Sequence, residues 1–559
     1  MYFAFYKNTI GGILNFKRLL GRFLVFCIVG ILANQFQVTL GDEQSNSGLQ
    51  SYNSNVEHYF TNKFDSILNN KNLKNTKFSI CFYSPDDGKI IYQKNPFLFL
   101  KPASVTKLLT TYTALNLLGP DAKLITNIYT DDSNINDGVV NGNLYIQGLG
   151  DCLMTLSDLD ELVRQISNLG IKKIYGNIIA DGTFFDNADN RLKYSGDLDE
   201  VEPVAPITAL SIEKNLIKIN VNTKVQGNEP KIQVIPDASN FVIESNLKMN
   251  NARNLHIQKA LSKRVKNKNL KNNPKNNPKY SKNLKSKQRF AQLQSHLYSV
   301  GLSVHSILLE NGYQKLILSG RVNPNSFYSI KEFDMSPELT VASLMRKRLL
   351  DNGIAVVGSF HKLNVKDKKI DYTKLTKIAF IERPLKDLIT EMNKNSDNYL
   401  AENLFKINGA NFKYDSNLAK SAKKILDSLT KPLNEAQENI IVNDGSGLSR
   451  RNRVSSQVIV NLLRTSMKKD YFPVLLNSLP IGGIDGTLEK RFKNSDGENA
   501  IFAKTGTHRD ASALAGYVRD NDGKIYVFAF IFNGGSVGLY KTIENNLALI
   551  LASFSKSKL

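Results

Sequence analysis

Three short motifs stand in a fixed order along this 559-residue chain, and the gap between the first two limits how it can fold. S-x-x-K occurs as Ser104 and Lys107 in KPASVTKLLT, S-D-N as Ser396 to Asn398 in MNKNSDNYLAENL, and K-T-G as Lys504 to Gly506 in FAKTGTHRD. If all three meet at one site, the nearly three hundred residues between Ser104 and Ser396 must fold as a unit of their own while the flanks close on each other. One catalytic domain built from both ends of the chain and split by a large insertion is therefore expected.

The trio has the make-up of a serine acyl-transfer site. A serine hydroxyl is a poor nucleophile until a base takes its proton, and residues three apart share a helix face, so Lys107 can reach Ser104 Oγ. That base must be a neutral lysine, and crowding by a second ammonium, Lys504, together with partial desolvation, lowers a lysine pKa toward neutrality. Ser396 is expected between the two lysines as a proton relay toward the leaving amine. Asn398 would orient Lys107 or grip a substrate amide, and Asp397 would point elsewhere. IFAKTGT leads through ASALAGYVRD into IYVFAFIF, which predicts an edge strand able to pair with an extended substrate backbone. Gly506 would let that backbone approach, Thr505 and Thr507 with Lys504 would hold a carboxylate, and the amides of Ser104 and Thr507 would form an oxyanion hole. Each motif alone has a plainer reading, as a helix N-cap, a capping turn or a hairpin corner; their order and combination set those readings aside.

The surrounding blocks, PASVTKLLTTYTALNLLGPD, RPLKDLITEMNKNSDNYLAENLF, IVNDGSGLSRRNRVS, LPIGGIDGTLEKRF and AKTGTHRDASALAGYV, resemble the class C low-molecular-mass penicillin-binding proteins, the D-alanyl-D-alanine carboxypeptidase and endopeptidase family. The likeness extends over roughly residues 55 to 555. It implies an α+β fold: a penicillin-binding protein and serine β-lactamase-like catalytic domain, an antiparallel sheet with flanking helices, carrying a large two-lobed insertion. It also implies a serine-type peptidase that trims or un-crosslinks peptidoglycan stem peptides through an acyl-enzyme on Ser104, takes β-lactams as inhibitors and needs no cofactor. Among family members an arginine matching Arg450 holds the free carboxylate of the diamino-acid side chain. A glutamine contact of the family is replaced here by Arg509, and Asp197, Asp199 and Glu200 compete as the acid for the distal amine. A serine β-lactamase is the alternative enzyme, disfavoured by the long Ser104–Ser396 spacing and by the lack of a well-placed E-x-x-x-N loop. A catalytically silent cell-wall binding or scaffold protein is the alternative outside enzymes, and the intact motifs speak against it.

The expected organisation is a signal peptide or N-terminal anchor over 1–41, a catalytic domain from 42–120 and 334–559, and inserted lobes over 121–333. FSICFYS, KIIYQKN, AKTGT, AGYVRD and YVFAFIF supply the catalytic sheet. The insertion divides into an α/β lobe over about 133–204 and a β-rich lobe over about 205–333. In the first, Leu159, Leu162, Val163, Ile166 and Leu169 recur at helical spacing; in the second, apolar and polar residues alternate through Ile217 and Val221.

The formal net charge is +22, but thirteen Lys or Arg and no acid fall between Arg253 and Arg289. This Lys/Asn-rich tract, within 250–290, cannot bury apolar surface and is expected to be a disordered, solvated loop. Weak attraction to an anionic membrane or acidic polymer is its alternative role. With only Tyr280 and Phe290 to stack on bases and no nucleic-acid module around them, no nucleic-acid partner is expected. Lys17, Arg18 and Arg22 precede the apolar FLVFCIVGILA, which predicts export to a periplasm, with membrane association if the segment stays uncleaved. Cys81 and Cys152 are expected as unpaired thiols, and no Cys or His cluster has metal-ligand spacing. His508 is expected at a groove rim or the surface, and Ser446 in a tight Asp-Gly-Ser-Gly turn.

Overall fold

The computed structural model describes residues 42–197, 202–224, 229–250, 301–364, 367, 369–412, 415–435, 440–555 and 557. The expected signal or anchor segment, the basic tract from Arg253 to Arg289, and Asp199 and Glu200 lie outside these residues. The chain divides into two compact units, 1–66 with 557–559, and 67–556. Helix α1, Asp42–Leu68, represents the first over most of its described length. The second carries all the described strands.

Strands β1 (Lys77–Ser84) and β2 (Lys89–Lys94) open the second unit, followed by a single 3₁₀ turn at Ala103–Val105 and helix α2 (Thr106–Leu118). The chain then builds β3 (Lys123–Thr130), β4 (Val139–Val140), β5 (Leu144–Gly148), α3 (Leu156–Asn168), β6 (Lys173–Ile174), β7 (Ile178–Asp181) and the short α4 (Arg191–Ser195). Strands β8 (Leu216–Asn222), β9 (Lys231–Ile235), β10 (Phe241–Met249), β11 (Ser303–Leu308), β12 (Gln314–Val322) and β13 (Phe327–Phe333) come next. After α5 (Pro337–Asp351), β14 (Ala355–Val356), β15 (Phe360–Lys362) and β16 (Thr376–Pro384), the chain is helical through α6 (Leu385–Asn395), α7 (Asn398–Phe412), α8 (Leu418–Thr430), α9 (Ser456–Ser466) and α10 (Phe472–Ser478). It closes with β17 (Ile501–His508), β18 (Ala511–Arg519), β19 (Ile525–Asn533) and α11 (Val537–Ala552).

The two flanks meet in one antiparallel sheet of order β17-β18-β19-β1-β2, made of the strands expected for it. β18 and β19 are buried along nearly their whole length because both faces are covered. Ala513, Ala515, Val527, Ala529 and Ile531 alternate into a core shared with Val458, Leu462 and Leu463 of α9. The intervening Leu514, Phe528, Phe530 and Phe532 are buried too, on the strands that α11 packs against.

Inside the insertion, a five-stranded sheet β15-β7-β5-β3-β16 and a three-stranded sheet β14-β6-β4 share a core with α3 and α5. α5 lies on β7 and β15, and β16 pairs antiparallel with β3. Residues 337–384, expected in the catalytic domain, therefore belong to this lobe, and the chain rejoins the catalytic helices at Leu385 rather than at residue 334. The antiparallel pairing of β16 with β3, from Thr376 opposite Thr130 to Pro384 opposite Lys123, decides this assignment. Leu159, Leu162, Val163 and Ile166 are buried, but Leu169 is 56% exposed. The helix ends at Asn168, and the left-handed Gly170 that follows takes Leu169 off the apolar stripe. Two three-stranded sheets, β10-β12-β11 and β13-β8-β9, enclose a smaller core of Ile217, Ile219, Val221, Val234, Leu316 and Leu318.

Candidate active site

Ser104 sits in the 3₁₀ turn that leads into α2, so residue i+3, Lys107, lies directly over it. The turn is held by a left-handed Ala103 (φ 48°) and by Thr106 Oγ1, which donates to Ala103 O at 2.8 Å. Ser104 is half-buried and Lys107 fully buried. Lys107 Nζ lies 3.1 Å from Ser104 Oγ, 2.8 Å from Asn398 Oδ1 and 2.7 Å from Ser446 O. The last two partners can only accept. A neutral amine that donates its two hydrogens to them is left with its lone pair toward Ser104 Oγ.

The S-D-N motif is the corner between α6 and α7. Ser396 caps α6 in the left-handed region (φ 57°), and its Oγ accepts from Lys504 Nζ at 2.8 Å. Lys107 reaches Ser104 and Asn398 instead, so Ser396 is tied to one lysine rather than bridging both. Asn398 uses its oxygen on Lys107 and donates Nδ2 to Glu202 Oε2 at 3.0 Å. Asp397 points away, accepting from Lys214 Nζ at 2.8 Å and capping α7 through Leu400 N.

Strand β17 is an edge strand. Its first half is covered, with Ala503 N donating to Pro480 O and Gly482 N donating to Ile501 O. By strand alternation the backbone groups of Thr505 and Thr507 face the same edge. Lys504 is fully buried beneath it, its Nζ also donating to Thr505 O at 3.1 Å. Thr505 Oγ1 donates to Thr487 Oγ1 at 2.9 Å, and the Thr507 side chain is exposed. Gly506 has a packing duty that its sequence does not reveal: a Cβ there would stand 2.4 Å from Pro102 O. The glycine lets β17 lie close against the Ser104 turn.

The Asp-Gly-Ser-Gly turn and a buried glutamate, both outside the three motifs, complete the candidate site. The turn from Asp444 to Ser449 supplies Ser446 O to Lys107 and packs Gly447 (φ 86°) so tightly that a Cβ would lie 2.0 Å from Ala103 O. Glu402, buried on α7 one turn past Asn398, accepts from Gly445 N at 3.1 Å and Ser446 N at 2.9 Å. Asp444, also buried, accepts from Gly447 N at 3.0 Å and Ser449 N at 2.6 Å. The signal for Glu402 was its spacing of four from Asn398; for Glu202 there was none.

Burial lowers Lys107 to about 8, against the opposing pull of Glu402, Asp444, Asp397 and Glu202. Lys504 is lowered well below its ordinary value, by burial first and by the Lys107 charge second. The expected crowding of ammonium groups thus acts on Lys504, whereas Lys107 is set by burial against carboxylates. Burial and the charge of Asp444 push Glu402 up to about 7.

Beyond β17, Asp510 accepts from both Arg450 (2.6 Å) and Lys101 (2.5 Å), so Arg450 is held by a carboxylate of the chain itself. His508 is buried rather than at a rim, because β17 turns it inward, and burial lowers its pKa. Asp197 is buried between Arg191 and Arg451. Cys81 and Cys152 are buried free thiols. Among the described residues no group of side chains could hold a metal ion.

The sequence model of the D-Ala-D-Ala carboxypeptidase 3 (S13) family matches residues 60–304 and 308–554. The D-alanyl-D-alanine carboxypeptidase of Actinomadura sp. (strain R39) is 23% identical over 501 residues, covering 88% of this chain and 84% of that relative. D-alanyl-D-alanine carboxypeptidase DacB of Haemophilus influenzae is 24% identical over 476 residues, covering 81% and 84%. The crystal structure of penicillin binding protein 4 (dacB) from Haemophilus influenzae superposes with a TM-score of 0.63 at 21% identity, covering 86% of this chain and 97% of that one. The fold is thus that of a penicillin-binding protein, α+β with an antiparallel catalytic sheet. The family match runs from one flank through the insertion to the other and takes in all three motifs, and the chain belongs to the D-Ala-D-Ala carboxypeptidase 3 (S13) family.

Proposed function

We propose that this chain is a serine-type D-Ala-D-Ala carboxypeptidase, with endopeptidase action on cross-links, that works on peptidoglycan stem peptides through an acyl-enzyme on Ser104. The observation that carries this reading is Lys107 Nζ at 3.1 Å from Ser104 Oγ with its hydrogens committed to Asn398 Oδ1 and Ser446 O. Ser104 Oγ attacks the carbonyl of the penultimate D-Ala while its proton passes to Lys107 Nζ. The amides of Ser104 and Thr507 stabilise the oxyanion from the open edge of β17. As the C–N bond breaks, Ser396 Oγ gives its proton to the leaving amine and recovers one from Lys504, a lysine that burial makes a ready donor. Water then attacks the ester, returns a proton to the Ser396–Lys504 pair, and Ser104 Oγ takes back the proton from Lys107. Thr505 and Thr507, with the buried Lys504, receive the terminal carboxylate, and Arg450 stands farther along as an anionic-group contact shared with Asp510.

A β-lactam presents a carbonyl and a carboxylate in the same relation and would acylate Ser104. Such a substrate requires export, and the basic, apolar opening of the chain suits delivery to a periplasm. No helix of the described residues is long and apolar enough to cross a membrane. The basic tract suits weak, salt-dependent attraction to anionic lipid or acidic polymer. The test is to incubate the purified chain and its Ser104→Ala variant with a fluorescent penicillin and follow intact mass over hours. A stable adduct that needs Ser104 is expected. Rapid loss of label with hydrolysed drug would make the chain a β-lactamase, and no label on folded protein would leave only a scaffold.

A further inference from the structure

The segment from Glu202 to Asn215 belongs to the insertion, yet it threads two cores and leads into a third. Ala205, Ile207 and Ala209 are buried with the catalytic helices, Leu210 and Ile212 with the α/β lobe, and Ile217, just past it, with the β-rich lobe. It ends in a turn of three consecutive left-handed residues without glycine, Glu213 (φ 49°), Lys214 (φ 56°) and Asn215 (φ 56°). L side chains rarely adopt this backbone, and strain of this kind persists only where the surroundings over-determine it. Here they do. Glu213 Oε1 accepts from Leu156 N, the first residue of α3, at 3.0 Å, and Asn215 Nδ2 donates to Pro206 O at 2.9 Å and Thr208 Oγ1 at 3.1 Å.

The strained turn presents one side chain to the catalytic domain. Lys214 Nζ donates to Glu391 Oε1 at 2.6 Å, near the end of α6, and to Asp397 Oδ2 at 2.8 Å, in the middle of the S-D-N corner. The next two residues of that corner are held from the same segment: Asn398 Nδ2 donates to Glu202 Oε2 at 3.0 Å, and Tyr399 OH donates to Ser211 Oγ at 3.0 Å. Three successive residues, beginning next to Ser396, thus take their partners from the insertion. Ser396 itself sits in the left-handed region between two helices, where a small change in the corner would move its Oγ relative to Lys504 and move Asn398 relative to Lys107.

We propose that Lys214 is a positioning residue for the acyl-transfer reaction, a clamp through which the inserted lobes hold the Ser396–Asn398 corner in its working shape. It touches neither nucleophile nor base, and it joins α6, the corner and the insertion through two carboxylates. The proposal rests on the reading of Ser104 as the acylated serine.

The test measures the rate of acylation by a fluorescent penicillin, with its saturation constant, in the full chain and in Lys214→Met, Lys214→Arg and Asp397→Asn. Lys214→Met is expected to slow the acylation step about tenfold, since small misplacements of catalytic groups are that costly, with the saturation constant little changed. The thermal midpoint should move little, because the pair is partly exposed. Lys214→Arg should restore most of the rate. The loss caused by Asp397→Asn, whose asparagine still caps α7, should vanish when Lys214→Met is already present, the mark of two residues acting through one contact. Should Lys214→Met not fold, the slower acylation of Asp397→Asn carries the test. A Lys214→Met protein that acylates at the normal rate, or losses that add in the double variant, would overturn the clamp while leaving the Ser104 reading intact. Absence of any Ser104 adduct in the unaltered chain would remove both.

Discussion

At the scale of single residues, the chemistry turns on which way one buried amine points. Asn398 Oδ1 and Ser446 O each take a hydrogen from Lys107, which aims the remaining valence at Ser104. Burial brings Lys107 to about 8 and Glu402 is the largest charge opposing that fall. Acylation needs the neutral amine, so its rate should rise with pH through about 8. Removing a carboxylate beside an ammonium disfavours the ammonium, and Glu402→Gln should therefore shift the rising limb to lower pH while slowing acylation severalfold as the Ser446 turn loosens. A pH–rate profile of penicillin acylation checks this; an unshifted limb would mean that Glu402 has no electrostatic hold on Lys107. Ser104 and Lys107 are legible in the sequence because their relation is local, three residues apart on one turn. Glu402 offers only its spacing of four from Asn398 and Glu202 offers nothing, since a glutamate on a helix or loop reads as solvent-facing until the fold buries or pairs it.

At the scale of elements, the site is a junction of three backbones: the Ser104 turn, strand β17 and the Asp444–Ser449 turn. They approach so closely that glycine is required at two of the contacts, Gly506 against Pro102 O and Gly447 against Ala103 O. Gly506→Ala should drive β17 off the Ser104 turn and slow acylation on the order of a hundredfold, with the sheet still formed by β18, β19, β1 and β2. Circular dichroism and the acylation rate together check it, and a near-normal rate would show that the strand can yield. The five strands of this sheet are readable from apolar runs and turn residues, and the edge position of β17 follows from its place in the hairpin. The helix stripe of α3 is readable as well, except at Leu169, where the αL glycine ends the helix one residue early. The return to the catalytic domain is misplaced at residue 334 because α5 and β16 find their partners, β7 and β3, only across long sequence separations.

At the scale of the whole molecule, the inserted residues build cores of their own and also reach the candidate site through Lys214 and Glu202. The described residues on either side of the basic tract sit beside adjacent residues of β12: Asn250 N donates to Val322 O, and Gly301 lies against Arg321. Replacing 251–300 by a short Gly/Ser linker should leave folding and Ser104 acylation within about twofold, because long surface insertions contribute little to stability. The same change removes thirteen positive charges and should abolish low-salt binding to anionic vesicles. Vesicle co-sedimentation of both forms checks it, and equal binding would assign the attraction to another surface. That the two flanks meet in one sheet, and that the three motifs meet beside it, is legible from the motifs and their spacing. The junction segment from Glu202 to Asn215 is not, because its meaning lies in joining the core of the catalytic helices to that of the α/β lobe, which no local pattern encodes.

The most direct measurement is release of D-alanine from a peptidoglycan pentapeptide ending in D-Ala-D-Ala by the full chain, beside Ser104→Ala and Lys107→Ala. Free D-alanine from the unaltered protein, lost in both variants, is the predicted result. Undiminished release by Ser104→Ala would contradict an acyl-enzyme on that serine.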